Sequence, residues 1–296
     1  MYDRLIWINL LFFLFVSTAQ SQQQLESGLS YNHSSLLASQ NNTTQSNNAT
    51  EPRFGLQIAL SGQWQKLNPD GALSAALYAA HDTDLKNSDA AIQQLSGQLQ
   101  KILAFNTSWL SRTALNGNLY DNQQQPANSY QALGINQTFG YFADNNSGWD
   151  INLGVQQRNY AQNPSGSYQG QQFELGVVHY FATSANQPRW AAALTLQQFN
   201  ASNTFYNSNS QQLNLSYGQW HWQKLQGNFS LQWLQNHYPN TIPQLSDRYS
   251  LFSLDAFYPI TSQWQLSTTL SGGLYQASNS NSRLLINAYF GLRTSL

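Results

Sequence analysis

Acid–base and nucleophilic chemistry need a histidine, a cysteine or a carboxylate held beside a partner, and this 296-residue chain is poorly supplied with them. It has no cysteine, and its five histidines, His33, His81, His179, His221 and His237, are scattered. A hydrolase or acyltransferase requires a Ser–His pair or an Asp/His cluster within hydrogen-bond reach. The one local cluster is His81 with Asp82 and Asp84, and a short charged run of this kind ordinarily marks a solvated loop. Metal-ligand spacings, phosphate-cradling glycine loops and basic nucleic-acid patches are absent from the sequence. The reading is therefore of a chain with no catalytic residues, no metal, no cofactor and no nucleic-acid partner. Matches to Asn-x-Ser/Thr, such as Asn48-Ala49-Thr50, follow from an Asn- and Ser-rich composition. What the chain does carry is a sparse set of charges and tyrosines at one parity of alternating segments: Arg112, Asp150, Arg158, Glu174, Asp255 and Arg293, with Tyr160, Tyr180 and Tyr289. Residues so placed line a wall that meets a solute without reacting with it.

The elements that would position this wall are strands. In the last stretch, Ser262 to Leu296, Trp264, Leu266, Thr268, Leu270, Gly272 and Leu274 alternate with polar residues. After the break Ala277 to Ser282 the pattern resumes with Leu284, Ile286, Ala288, Phe290 and Leu292. A period of two puts successive side chains on opposite faces of a pleated strand, so this is a hairpin. Each strand is about as long as a tilted membrane-crossing strand, roughly 9–11 residues.

A long amphipathic strand at the chain terminus resembles the closing strand of a bacterial outer-membrane β-barrel, although it ends in Leu296 where that class usually has Phe or Trp. The resemblance implies docking of this strand to the outer-membrane assembly machinery. Over about Asp247 to Leu296, the run Asp247-Arg248-Tyr249, the Tyr258-Pro259 pair, Trp264 opening the next strand and the Ser-Asn loop also resemble the barrel part of the surface lipoprotein assembly modifier family.

Thirteen alternating segments follow Pro52; the clearest are Trp149 to Val155, Phe173 to Phe181 and Trp190 to Leu196. The connections near Asn68, Asn106, Asn145, Asn186, Lys224 and Ile260 read as short, alternating strictly with longer, more polar ones. Outer-membrane barrels have short periplasmic turns and longer external loops, and an even strand number in single-chain bacterial examples. Counting back from a last strand that descends to the periplasm requires an ascending strand before Phe54. Gln24 to Leu37 is the candidate, with Ser39 to Pro52 as the first external loop. The expectation is an all-β, closed antiparallel transmembrane barrel of 14 strands, or 12 if that first segment is not a strand. Trp64, Trp109, Trp149, Trp190, Trp222 and Trp264 each lie beside a short turn, as a headgroup-level aromatic girdle would. Trp222 has the wrong parity relative to Leu213 and Leu215, and needs a β-bulge to join the others.

Residues 1–21 read as a signal peptide: a charged start, about a dozen apolar residues from Leu5 to Val16, and small residues for cleavage after Ala19 or Ser21. Residues 22–52 read as a weak first strand plus a flexible Gln/Asn/Ser-rich segment, and residues 53–296 as the barrel. Charged residues are only 8%, against about 25% in soluble domains. Aromatics are 14% while mean hydropathy is −0.46, a combination expected when half of each strand faces lipid and half faces water. Soluble β-sandwiches alternate too, so composition leaves that class open. The functional expectation is a Gram-negative outer-membrane channel, passive and weakly selective, whose partners are the bilayer and small hydrophilic solutes. Its inward charges are few and of mixed sign, whereas strong ion selectivity needs rings of one sign. An export or assembly barrel, and a plugged adhesive surface protein, are the alternatives; association of several barrels is left open.

Overall fold

The computed structural model describes residues 20–36, 50–68, 71–85, 91–122, 129–143, 147–160, 167–181, 189–278 and 282–295. Fourteen strands account for nearly all of them: β1 (Gln20–Leu36), β2 (Thr50–Asn68), β3 (Gly71–Asp84), β4 (Ile92–Ala104), β5 (Trp109–Asn122), β6 (Tyr130–Phe142), β7 (Ser147–Tyr160), β8 (Tyr168–Phe181), β9 (Arg189–Ala201), β10 (Ser208–Trp222), β11 (Leu225–Tyr238), β12 (Leu245–Pro259), β13 (Trp264–Ala277) and β14 (Arg283–Ser295). Each pairs antiparallel with its chain neighbours. β1 also pairs with β14, from Gln24 opposite Ser295 to Leu36 opposite Arg283, which closes the sheet. Closure gives every hydrogen-bonding edge a partner, the condition for strands to sit in hydrocarbon. The fourteen-strand expectation holds and the twelve-strand alternative is excluded.

The faces are sorted as for a barrel whose outside meets lipid. On β7, Ile151 and Leu153 are each 47% exposed, while Asp150 between Trp149 and Ile151 is 2% exposed. Among the described residues the buried hydrophobics are all alanines, and no large side chain is fully buried. A soluble sandwich would hide its leucines between two sheets; here they form an outward belt, and the sandwich alternative fails. The apolar surroundings that a packed core supplies elsewhere would have to come from outside the wall.

Several details differ from the expectation. β2 begins at Thr50, so residues 50–52 belong to a strand and not to the first external loop. The connection near Asn186, expected to be short, lies outside the described residues, which stop at Phe181 and resume at Arg189. Most of the signal-peptide assignment, residues 1–19, lies outside the described residues, as does the expected Ser39–Pro52 loop up to residue 49. The register between β10 and β11 shifts between Tyr217 and Trp220. This bulge puts Trp222 on the outer face, 70% exposed, and carries Trp220 outward over Gly227. It also moves His221, which in the sequence shares the parity of Leu213 and Leu215, to the inner face.

Candidate functional site

A cavity of about 560 Å³ touches Gln24 on β1, Gln98 on β4 and Gln156 on β7. Strands so far apart around a closed wall share a cavity only from within, which identifies the inner face. Arg112, Asp150, Arg158, Glu174, Asp255, Arg293, Tyr160, Tyr180 and Tyr289 all have the parity of that face, opposite the exposed Leu115, Trp149, Phe173, Leu254 and Phe290. The structure sorts them into separate groups.

The first group spans three strands. Arg112 on β5 forms an ion pair with Asp150 on β7, and the Tyr180 hydroxyl of β8 donates to the same Asp150 Oδ2 at 2.9 Å. β6 lies between, and Gly140 is the residue the bridge passes over. A Cβ there would sit 2.7 Å from Asp150 Oδ1 and 3.0 Å from Leu110 Cδ1. The missing side chain is what lets two inner-face residues meet across an intervening strand.

The second group closes the seam. Arg293 donates from Nη2 and Nε to Glu26 Oε2 at 2.8 and 3.2 Å, and the Ser267 hydroxyl donates to Glu26 Oε1 at 2.6 Å. Three strands again meet, β1, β14 and β13, and Gly291 on β14 lies under the contact. Its missing Cβ leaves the room that the Tyr289 hydroxyl occupies. Glu26 was not among the residues singled out from the sequence. Its parity, opposite Leu25 and Ser27, was the available signal, obscured because β1 is the weakest of the strands by pattern.

The third group is aromatic. Arg158 lies 5.3 Å from the Tyr130 ring centre, a cation–π arrangement, and its Nε donates to Gln156 Oε1 at 2.8 Å. Tyr160 stacks on Tyr168 at 4.6 Å, and Tyr168 on Tyr206 at 4.2 Å with ring planes 4° apart. Tyr206 ends the short 3-10 turn Thr204–Tyr206 between β9 and β10, so the column ties that connection to the inner wall. The turn is further held by the Asn240 side-chain amide donating to the Thr204 carbonyl at 2.8 Å.

Glu174 and Asp255 each accept from a neighbouring strand. Gln197 Nε2 donates to Glu174 Oε2 at 2.8 Å, and the Thr269 hydroxyl donates to Asp255 Oδ1 at 2.7 Å. Asp247, not singled out earlier, accepts from the hydroxyls of Tyr238 and Tyr275, both at 3.1 Å. A second recess of about 240 Å³ is lined by Arg158, Glu174, Gln156, Gln172 and Asn116 among others.

The six tryptophans Trp64, Trp109, Trp149, Trp190, Trp222 and Trp264 lie near the strand ends flanking the same end of the barrel. Trp149 stacks on His179 at 4.0 Å, and His179 Nδ1–H donates to the Gly148 carbonyl at 3.1 Å. One outward feature escaped the sequence reading. Gln137 on β6 lies between Ile135 and Phe139, both 43% exposed. The Thr113 hydroxyl donates to its Oε1 at 2.6 Å, and its Nε2 donates to the Ser111 hydroxyl at 2.7 Å. Its polar atoms are thereby satisfied within the apolar belt.

Among the described side chains the histidines are not gathered. His81 and Asp82 are successive residues of β3 and point to opposite faces. Among the described residues, no group of three or more His, Cys, Asp or Glu could hold a metal.

No family model matches the chain, and no curated protein matches it. Solved structures do. The chain is similar to OccAB1 of Acinetobacter baumannii, with a TM-score of 0.54 and 8% identity over 95% of this chain and 99% of that one. It is similar also to the outer-membrane expressed OmpT of Vibrio cholerae, with a TM-score of 0.52 and 7% identity over 95% of this chain and 100% of that one. At such identities the likeness is one of fold. What is shared is the closed antiparallel β-barrel, here with an outward apolar belt.

Proposed function

We propose that the chain is a passive outer-membrane channel, weakly selective, for small hydrophilic solutes. One observation carries the reading: among the described residues no large side chain is fully buried, so the space inside the wall is not packed. Fourteen strands about 4.8 Å apart and tilted by about 40° enclose a backbone cylinder of roughly 28 Å diameter, more than side chains of one wall fill. Arg112 and Arg293 are each matched by a carboxylate, and the other inward charges are of both signs. Such a wall offers little net field to favour cations over anions. In this reading the nine inward residues line the pore, the short connections face the periplasm and the six tryptophans form the inner-leaflet girdle. The role is not catalytic.

Planar-bilayer recording tests it. The expected record shows steady open steps and a reversal potential displaced only a few millivolts in a salt gradient. An electrically silent barrel would instead support the plugged adhesive reading, or the export reading implied by the resemblance over Asp247 to Leu296.

A further inference from the structure

Resting on the channel reading, we infer that the inner wall between β1 and β7 is a binding site for neutral polyhydroxylated solutes, that is, for saccharides, held mainly by hydrogen bonds. The larger recess, about 560 Å³, is within the range of small-molecule sites, about 300–1,000 Å³. Its lining is mostly amides and hydroxyls, among them Gln24, Ser61, Gln98, Asn116 and Gln156, with one aromatic residue, Tyr78, and it contains no charged residue. Asn116 and Gln156 also line the smaller recess, so the two form one continuous surface.

Side-chain amides and hydroxyls both donate and accept. That is the valence pattern of a sugar hydroxyl, and it discriminates poorly for ions. Gln98 Nε2 donates to Asn116 Oδ1 at 2.9 Å, a contact that orients the Gln98 carbonyl oxygen and the Asn116 amide hydrogens away from each other as a matched acceptor and donor. An anionic solute would need cations in reach. Arg112 and Arg293 are occupied by carboxylates elsewhere on the wall, and Arg158 lies outside the larger recess, opposed by Glu174 in the smaller one.

Aromatic platforms are the other common way to hold a sugar, and those of the Tyr160 column are spent, which leaves Tyr78 as the one ring that lines the larger recess. Tyr168 is stacked between Tyr160 and Tyr206, so its faces are covered by protein rings, as is one face of each neighbour. The inward tyrosines of this column brace the β9–β10 connection instead of presenting a surface to solute.

The experiment uses the full mature chain in planar bilayers, with linear glucose oligomers of two to six units and polyethylene glycols of matched hydrodynamic size. The expected result is resolved current interruptions with the glucose oligomers at millimolar concentration and none with the polymer, which accepts but scarcely donates hydrogen bonds. The double variant Gln98→Ala/Asn116→Ala should weaken this block at least tenfold, and Asn116→Asp, nearly isosteric, should weaken it too. Equal block by sugar and polymer, or unchanged block in the variant that folds, overturns the inference while leaving the channel intact. If the protein passes no current, the channel reading fails instead. Calorimetric titration of the detergent-solubilised barrel with the glucose hexamer then decides the site: heat of binding lost in Asn116→Asp sustains it, and no binding to the unaltered protein overturns it.

Discussion

Arg112 on β5 and Asp150 on β7 form an ion pair across β6, over the position where Gly140 has no side chain. Asp150 is 2% exposed, so its charge is stable there only because the guanidinium and the Tyr180 hydroxyl share it. The seam repeats the device, with Arg293 and Ser267 converging on Glu26 above Gly291. In both places a glycine notch in one strand lets the two strands beside it be cross-braced from inside.

Removing one partner of the first brace is expected to cost far more than removing both. Arg112→Ala strands the buried Asp150 charge and should lose about 3–5 kcal/mol, whereas Arg112→Met with Asp150→Leu should be within about 1 kcal/mol of the parent or more stable. Urea unfolding from lipid vesicles measures the difference. Equal losses in the single and double variants would show that the pair does not carry the site's stability. Gly140→Val should behave like the single variant, because its Cβ occupies the path of the bridge.

At the seam both partners are about a quarter exposed, so solvent screens the pair and the cost of Arg293→Ala should be about 1 kcal/mol. Its signature is local. Hydrogen exchange of β1 and β14 should accelerate while β6 to β8 stay protected, and uniform acceleration would mean that the barrel opens elsewhere first.

The bulge in β10 makes a deletion tolerable there and not elsewhere. Without Gly218, Tyr217, Trp220 and Trp222 alternate outward with no bulge, so the barrel should still form and migrate faster on gels until boiled. Deleting Ser230 from β11, whose register with β12 is continuous, turns half of that strand's apolar residues inward and should abolish the folded band. A folded Ser230 deletion would contradict the register.

Gln137 offers a test of what covers the outer face. If lipid does, Gln137→Leu should be neutral or stabilising by up to about 1 kcal/mol, since it exchanges a satisfied amide for an apolar side chain, and Gln137→Arg should cost about 2–4 kcal/mol. A loss of more than about 1 kcal/mol in Gln137→Leu would indicate a protein partner on this patch, such as a neighbouring barrel.

Much of the fold was legible because alternation is a local property. Trp149 and Asp150 are adjacent in the chain, and their opposite faces follow from the pleat alone. Even β1, the faintest strand, was recoverable by counting, since a closed antiparallel barrel with both ends on one side needs an even number. The bulge near Gly218 showed itself only as one tryptophan out of step.

The candidate site was legible by face and not by partnership. Sequence determined which side chains point inward, because each residue's direction depends only on its neighbours in the strand. It could not say that Arg112 meets Asp150, or that Arg293 finds Glu26 across 267 positions. The first meeting depends on the stagger between strands and on Gly140 at the crossing point of β6, and the second on β1 and β14 closing in the register that sets Glu26 opposite Arg293. Stagger is settled only when the sheet closes and every ladder must fit at once, which is why the braces and the continuous amide surface emerged from the tertiary structure alone.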